Sequence, residues 1–209
     1  MGVGSVSRSR QIIITMSLTP WRSLLERALD LNRNVAYSRY LQLATLRVDN
    51  RPANRTLVFR GFADTDELKF AIDSRSQKPE QIEHQPWAEA CWYFPETREQ
   101  FRLAGYLTLV TFECQDAVLQ QARQTTWQDI SDATRLQFAW ADPGKPKQVD
   151  AAAFNPPLPN PTEALPNFCL LLLHPVQVDH LELRGDPQNR TIYNWRDREQ
   201  AWFTQAVNP

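Results

Sequence analysis

Cysteine and histidine are scarce in this chain, three of each among 209 residues, and neither is arranged for chemistry. Cys91, Cys114 and Cys169 form an odd set without a C-x-x-C pair. That argues against a disulfide scaffold and a structural zinc site, and fits a reducing cytoplasm. His84, His174 and His180 lack H-x-x-x-H or H-E-x-x-H spacing, so no metal is expected. A dominant charge is also missing: 23 Lys and Arg against 24 Asp and Glu leave a net charge of −1. Without a global basic field, neither nucleic acid nor an anionic membrane is an expected partner, and any anion site must be local. The longest apolar run, around Cys169 to Leu173, is far too short to cross a bilayer. There is no G-x-S-x-G or other catalytic signature, and no internal repeat or heptad array.

What is present reads as one unit. Residues 1–16 carry Ser and Arg with only the short apolar stretch Gln11 to Ile14, which is not a secretory signal and reads as a disordered extension. Met16 is an alternative translation start. A single domain is expected over 17–209, with Thr19 as N-cap and Pro20 as first residue of an amphipathic helix to about Leu31. Alternation and turn clusters then predict strands at 41–46, 54–62, 68–73, 88–94 and 101–112, read as a five-stranded antiparallel meander. Ser76 is a possible N-cap for a short helix from Lys78 or Pro79. Two helices are expected within 116–140 and an exposed, Pro-rich excursion over 142–166. Strands return at 168–173, 176–183, 191–195 and 201–204. Strands that do not alternate with helices exclude βαβ units, so the fold class is mainly β, an antiparallel barrel with flanking helices.

The segment Arg55-Thr56-Leu57-Val58-Phe59-Arg60 begins one strand with a cation, and Arg75-Ser76-Gln77-Lys78 ends another. Adjacent pairing would gather Arg55, Arg75, Lys78 and the Ser76 hydroxyl around one anion. A phosphate suits that set, because guanidinium groups bind it bidentately and Lys adds a compact charge. The alternative is a set of solvated strand-end charges. Cys91 and Cys169 read as inert core thiols. Trp127, Phe138 and Trp140 read as core or subunit-interface aromatics, and Trp87, Trp92, Tyr93 and Phe94 as barrel interior or subunit contact.

These segments, with Arg98-Glu99-Gln100-Phe101-Arg102, resemble the pyridoxamine 5'-phosphate oxidase family, whose members bind flavin mononucleotide (FMN) on a split β-barrel. The likeness covers about Leu41 to Phe112 well and the segment from Phe168 weakly. It implies that Arg55 and Lys78 hold the flavin phosphate and that Gln100 contacts the flavin ring, with Thr56, Leu57, Val58, Arg60, Ala71, Ile72, Arg75, Ser76 and Gln77 as further cofactor contacts. It also implies a homodimer with the flavin at the subunit interface and a small-molecule substrate. Arg60, Ser131 and Arg190 are the substrate candidates, and no side chain is assigned as catalytic. The sequence departs from the family in four places. Arg60 replaces a Lys; Gln77 replaces a phosphate-binding Arg, for which Arg75 is the compensating candidate; Ala71-Ile72 replace Tyr-Thr; and the substrate Arg-Leu-His triplet is missing. The implied activity is hydride transfer from a small amine or alcohol, pyridoxamine or pyridoxine 5'-phosphate among them, with reoxidation by oxygen. The rivals are a flavin carrier or redox sensor without turnover, and a split-barrel binder of another cofactor such as a tetrapyrrole or deazaflavin.

Overall fold

The computed structural model describes residues 19–209, so the expectations for residues 1–16 lie outside the described residues. The chain runs α1 (Arg22–Leu31), β1 (Tyr40–Leu46), β2 (Pro52–Val58), β3 (Leu68–Asp73), α2 (Lys78–His84), β4 (Trp87–Phe94) and β5 (Glu99–Val110). It continues through α3 (Ala117–Asp129), α4 (Asp132–Phe138), a 3-10 turn at Ala151–Phe154, β6 (Phe168–Glu182), β7 (Asn189–Arg196) and β8 (Ala201–Val207). The eight strands form one antiparallel sheet in the order β2-β1-β4-β5-β6-β7-β8, with β3 attached to β6, and the helices lie at its flanks. This is a split β-barrel.

The meander expected over the first five strands is not the observed topology. β1 pairs with β4 as well as β2, and β3 leaves its sequence neighbours to pair with β6 from Leu68↔Leu173 to Asp73↔Phe168. The two C-terminal strands expected at 168–173 and 176–183 are one 15-residue strand, β6, which changes partner half-way. Its first half pairs with β3 and its second half, from Gln177, with β7, while β5 runs along its other edge. The change falls at Pro175, which has no N–H to give a ladder, and opposite it β5 shifts register at Ala104/Gly105. Gly105 is required there: a Cβ would sit 1.9 Å from the His174 carbonyl oxygen.

Strict alternation sorts the large side chains of β4. Trp92 and Phe94 are buried in the barrel with Phe101, Phe70, Leu41 and Leu43, while Trp87 and Tyr93 point outward. The same alternation puts Cys91 on the outward face, half-buried, so the core-thiol reading holds for Cys169 alone. Trp127, Phe138 and Phe168 pack edge to face, at centroid distances of 5.0–5.9 Å, into a second cluster that seats α3 and α4 on β6. Two buried arginines tie this layer down: Arg123 donates to the Phe168 and Leu165 carbonyls, and Arg135 to those of Trp127 and Gln128. Thr19 and Ser76 do not cap helices as expected. Residues 19–21 form a turn before α1, and Gln77 holds the N-cap position of α2, the Ser76 hydroxyl donating to the Asp73 carbonyl and accepting only a long bond, 3.5 Å, from the Lys78 N–H.

Candidate functional site

At one end of the barrel β2, β3 and the start of α2 meet, and a cavity of about 510 Å³ opens between them and the segment after α4. Leu57, Ala71, Ile72, Ser76 and Lys78 line it, so five of the sequence-predicted contacts share one space. Arg55 stands beside Lys78, close enough that its charge disfavours the ammonium. Burial first, and the Arg55 guanidinium second, push the Lys78 amine below its ordinary value, against the pull of Asp73.

The Arg55 guanidinium is held in place by neutral acceptors. It donates to the Leu43 carbonyl at 3.1 Å, to Thr45 Oγ1 at 2.6 Å and to Gln81 Oε1 at 2.6 Å, and Thr45 Oγ1 in turn donates to Gln81 at 2.7 Å. Thr45 and Gln81 are buried, and neither was marked by any motif. Three of the five N–H groups of Arg55 are thereby used and two remain. Among the described residues neither Arg55 nor Lys78 takes part in an ion pair, and the nearest carboxylate, Asp73, is committed to Arg75. Two adjacent, partly desolvated cations without an acid are an arrangement that an anion completes.

Arg75 is used differently. Its Nε bonds Asp73, Nη1 donates to the Trp140 carbonyl and Asp142, and Nη2 donates to Asp73 and the Phe138 carbonyl. All five N–H groups are engaged, which makes Arg75 the clasp between β3 and the end of α4. Asn167 reinforces it through Asp73 and the Phe138 carbonyl.

The segment 140–154 forms the far wall. Trp140, Lys145, Lys147 and Phe154 line the cavity, and the Trp140 and Phe154 rings meet edge to face at 6.2 Å. The Pro-rich excursion thus begins as a wall of the site, and Trp140 is a lining residue as well as a packing one. Its buried indole N–H has no partner among the described residues.

The remaining sequence-predicted residues lie elsewhere. Gln77 is exposed, at the N-terminus of α2. Thr56 and Val58 alternate away from Leu57, toward the outward face of β2. Gln100 is half-buried on the outward side of β5, between the inward residues Glu99 and Phe101. Arg60 follows β2; among the described residues its half-buried guanidinium makes no side-chain hydrogen bond and its buried Nε has no partner, and burial first, then Arg39, disfavour its charge. Ser131 caps α4, accepting from the Thr134 N–H, and is exposed. Arg190 is paired with Asp179 through two hydrogen bonds of 3.0 and 2.7 Å.

The fold and pocket define a class: a split barrel with a cationic pocket at one end, built to hold a phosphorylated cofactor. Comparison with known proteins identifies the family. Residues 18–111 match the family described as pyridoxamine 5'-phosphate oxidase, FMN-binding domain. The chain is 35% identical over 196 residues to pyridoxine/pyridoxamine 5'-phosphate oxidase 2 of Arabidopsis thaliana, covering 92% of this chain and 98% of that protein. The crystal structure of a pyridoxamine 5'-phosphate oxidase-related, FMN-binding protein from Nostoc punctiforme shares 59% identity at a TM-score of 0.90, over 93% of this chain and all of that one. PhzG from Burkholderia lata, at 22% identity and a TM-score of 0.72 over 93% and 95% of the two chains, shares the fold. The chain belongs to the pyridoxamine 5'-phosphate oxidase family of FMN-binding proteins, and FMN is its cofactor.

The residues present fit that cofactor. The unpaired cations Arg55 and Lys78 suit its phosphate, the unpartnered Trp140 N–H offers a donor, and the apolar side chains of Leu57, Ala71 and Ile72 leave the backbone of β3 to meet a flat ligand.

Proposed function

We propose that this protein is an FMN-dependent oxidoreductase acting on a small, anionic amine or alcohol, with pyridoxamine and pyridoxine 5'-phosphate as the first candidates. The observation that carries the reading is the Arg55–Lys78 pair: Lys78 lines a cavity of cofactor size, Arg55 stands beside it with two N–H donors free, and neither is ion-paired among the described residues, the lining carboxylates Asp73 and Asp142 both being bonded to Arg75. The chemistry supplied by bound FMN is two-electron oxidation of the substrate carbon bearing the amine or hydroxyl, with oxygen as the final acceptor and hydrogen peroxide as product. The chain's own residues bind and orient. Arg55, preset by Thr45 and Gln81, and Lys78 fix the phosphate end of the cofactor. Arg60 lies outside the cavity of its own chain and has no acid partner among the described residues, which leaves it the one substrate candidate still free to take an anion.

We further propose a homodimer, formed through the outward face of the sheet. Tyr40, Trp87, Tyr93 and Tyr106 are exposed there on β1, β4 and β5, with Trp87 and Tyr106 packed edge to face at 4.7 Å. Gln100 lies on that face and outside the cavity of its own chain, so it reaches a flavin only across such an interface. Light scattering at micromolar concentration tests this, with a mass of two chains expected and a monomer contradicting it. The FMN-binding unit spans 17–209 in this reading, because one sheet runs from β1 to β8. Three unpaired thiols suit the cytoplasm, and no described helix is long and apolar enough to cross a membrane.

A second reading, FMN carriage or redox sensing without turnover, is favoured by one observation: Arg190 and Ser131, two of the three substrate candidates, are already engaged within the chain. Anaerobic addition of pyridoxamine 5'-phosphate to the FMN-loaded protein separates the two. Bleaching of the flavin band supports the oxidase, and a band unchanged by this and other small phosphorylated amines supports the carrier.

A further inference from the structure

Glu99 and Glu182 face each other directly across β5 and β6, at the end of the barrel where the two strands begin and finish. Directly opposed carboxylates repel, and a cation between them relieves that cost. His180, two residues before Glu182 and therefore on the same face, stacks on Phe101 at a centroid distance of 4.2 Å with the rings 12° from parallel. One ligand atom from each of Glu99, His180 and Glu182 lies within 4.8 Å of the others.

Arg27, on α1, supplies part of the missing charge. Its Nη2 lies 2.6 Å from Glu99 Oε1 and 3.7 Å from Glu182 Oε1. That leaves the cluster incomplete. Glu99 and His180 are only 5% and 3% exposed, yet Glu99 Oε2 and His180 Nε2 are both buried without a hydrogen-bond partner among the described residues. Two orphaned ligand atoms in one buried cluster are costly, and buried charges are ordinarily paired or coordinate a metal. Arg27 is half exposed, with its stem on a surface helix, and is free to swing into solvent.

We propose that Glu99, His180 and Glu182 bind a divalent cation of the zinc class, with water completing the coordination and Arg27 displaced as its competitor. Imidazole and carboxylate oxygens suit zinc at about 2.0–2.2 Å, which puts ligand atoms roughly 3.4 Å apart in a tetrahedral site. The three atoms therefore need to close by at most about 1.4 Å, a side-chain adjustment. The site was hidden from the sequence because its ligands come from two strands far apart in the chain, with no local spacing to mark them. A cation here would pin the ends of β5 and β6 and with them Gln100, which sits between Glu99 and Phe101 and faces the opposite side.

Equilibrium dialysis of the FMN-loaded protein against Zn²⁺ alone, with metal analysis, tests the proposal. One zinc per chain is expected. Glu182→Gln, at a half-exposed position that tolerates change, should weaken binding by at least about 100-fold while FMN stays bound, and His180→Gln should do the same. Arg27→Gln should tighten binding by roughly tenfold, because it removes the competing charge. A merely structural ion network gives the opposite set: no saturable zinc binding at millimolar metal, or binding that ignores these three changes and falls when His84 or His174 is replaced. Either result overturns the proposal.

Discussion

At the pocket end of the barrel Arg55 and Lys78 stand side by side, Arg55 bonded only to neutral acceptors, whereas on the outward face of β4–β7 the cations are matched to acids. There Arg102 bonds Glu89 at 2.8 Å and lies 3.5 Å from Asp179, which Arg190 also binds. The residue types are the same, but the outward cluster is electrostatically closed and the pocket cluster is open. An open cluster costs stability in the free protein and returns it when the anion arrives, so ligand affinity and cofactor-free stability should move in opposite directions there.

Arg55→Ala should break the comparison most strongly. It removes two free donors and leaves Thr45 and Gln81 without their charged partner, so FMN affinity is expected to fall by about 100-fold. Fluorescence titration of the cofactor-free protein measures it. Lys78→Met should weaken FMN by about tenfold while leaving cofactor-free thermal stability equal or higher, because it deletes an ammonium that burial and Arg55 already disfavour. Loss of stability in that variant would mean that Lys78 has a partner the open-cluster account does not allow.

Arg75→Gln sharpens the contrast from the other side. Arg75 is closed, so its loss should release the 138–142 segment and speed proteolysis within 142–154, with an indirect fall in FMN affinity smaller than that of Arg55→Ala. Arg190→Gln should leave FMN affinity within about twofold, since its donors already serve Asp179. The smallest effect is expected at His174, half exposed, and Glu67, mostly buried, 3.5 Å apart. The Glu67 carboxylate, by hydrogen bonding, raises His174 above its ordinary 6.5, and His174 holds Glu67 below its ordinary 4.5. The pair therefore contributes fully between those two ordinary values. Its contribution is lost as pH rises through the raised His174 value and as it falls through the lowered Glu67 value. His174→Gln should flatten the alkaline limb by a few tenths of a kcal/mol in thermal melts across pH.

Much of this was legible in the sequence for a local reason. Period-two alternation marks β1, β3 and β4, and the strand-end cations of 55–60 and 75–78 mark the pocket. What was not legible depends on distant contacts. That β3 pairs with β6 follows from tertiary packing and the bulge opposite Pro175, which no turn signal announces. Arg55 and Arg75 look equivalent as letters. They differ only because Arg75 meets carbonyls more than sixty residues away, whereas the acceptors of Arg55 leave it two donors to spare. Trp140, Lys145, Lys147 and Phe154 carried no motif, and they enter the site only because the Arg75 clasp folds their segment over it.

The central claim is that an unpaired Arg55–Lys78 cluster recognises the phosphate of the cofactor. Its most direct test compares the affinities of the cofactor-free protein for FMN and for riboflavin, which lacks that phosphate, before and after Lys78→Met. The account predicts that FMN binds at least about 100-fold more tightly than riboflavin, and that the change erodes this preference about tenfold with riboflavin affinity unmoved. Equal affinities for the two flavins, or a preference that survives the change intact, would contradict it.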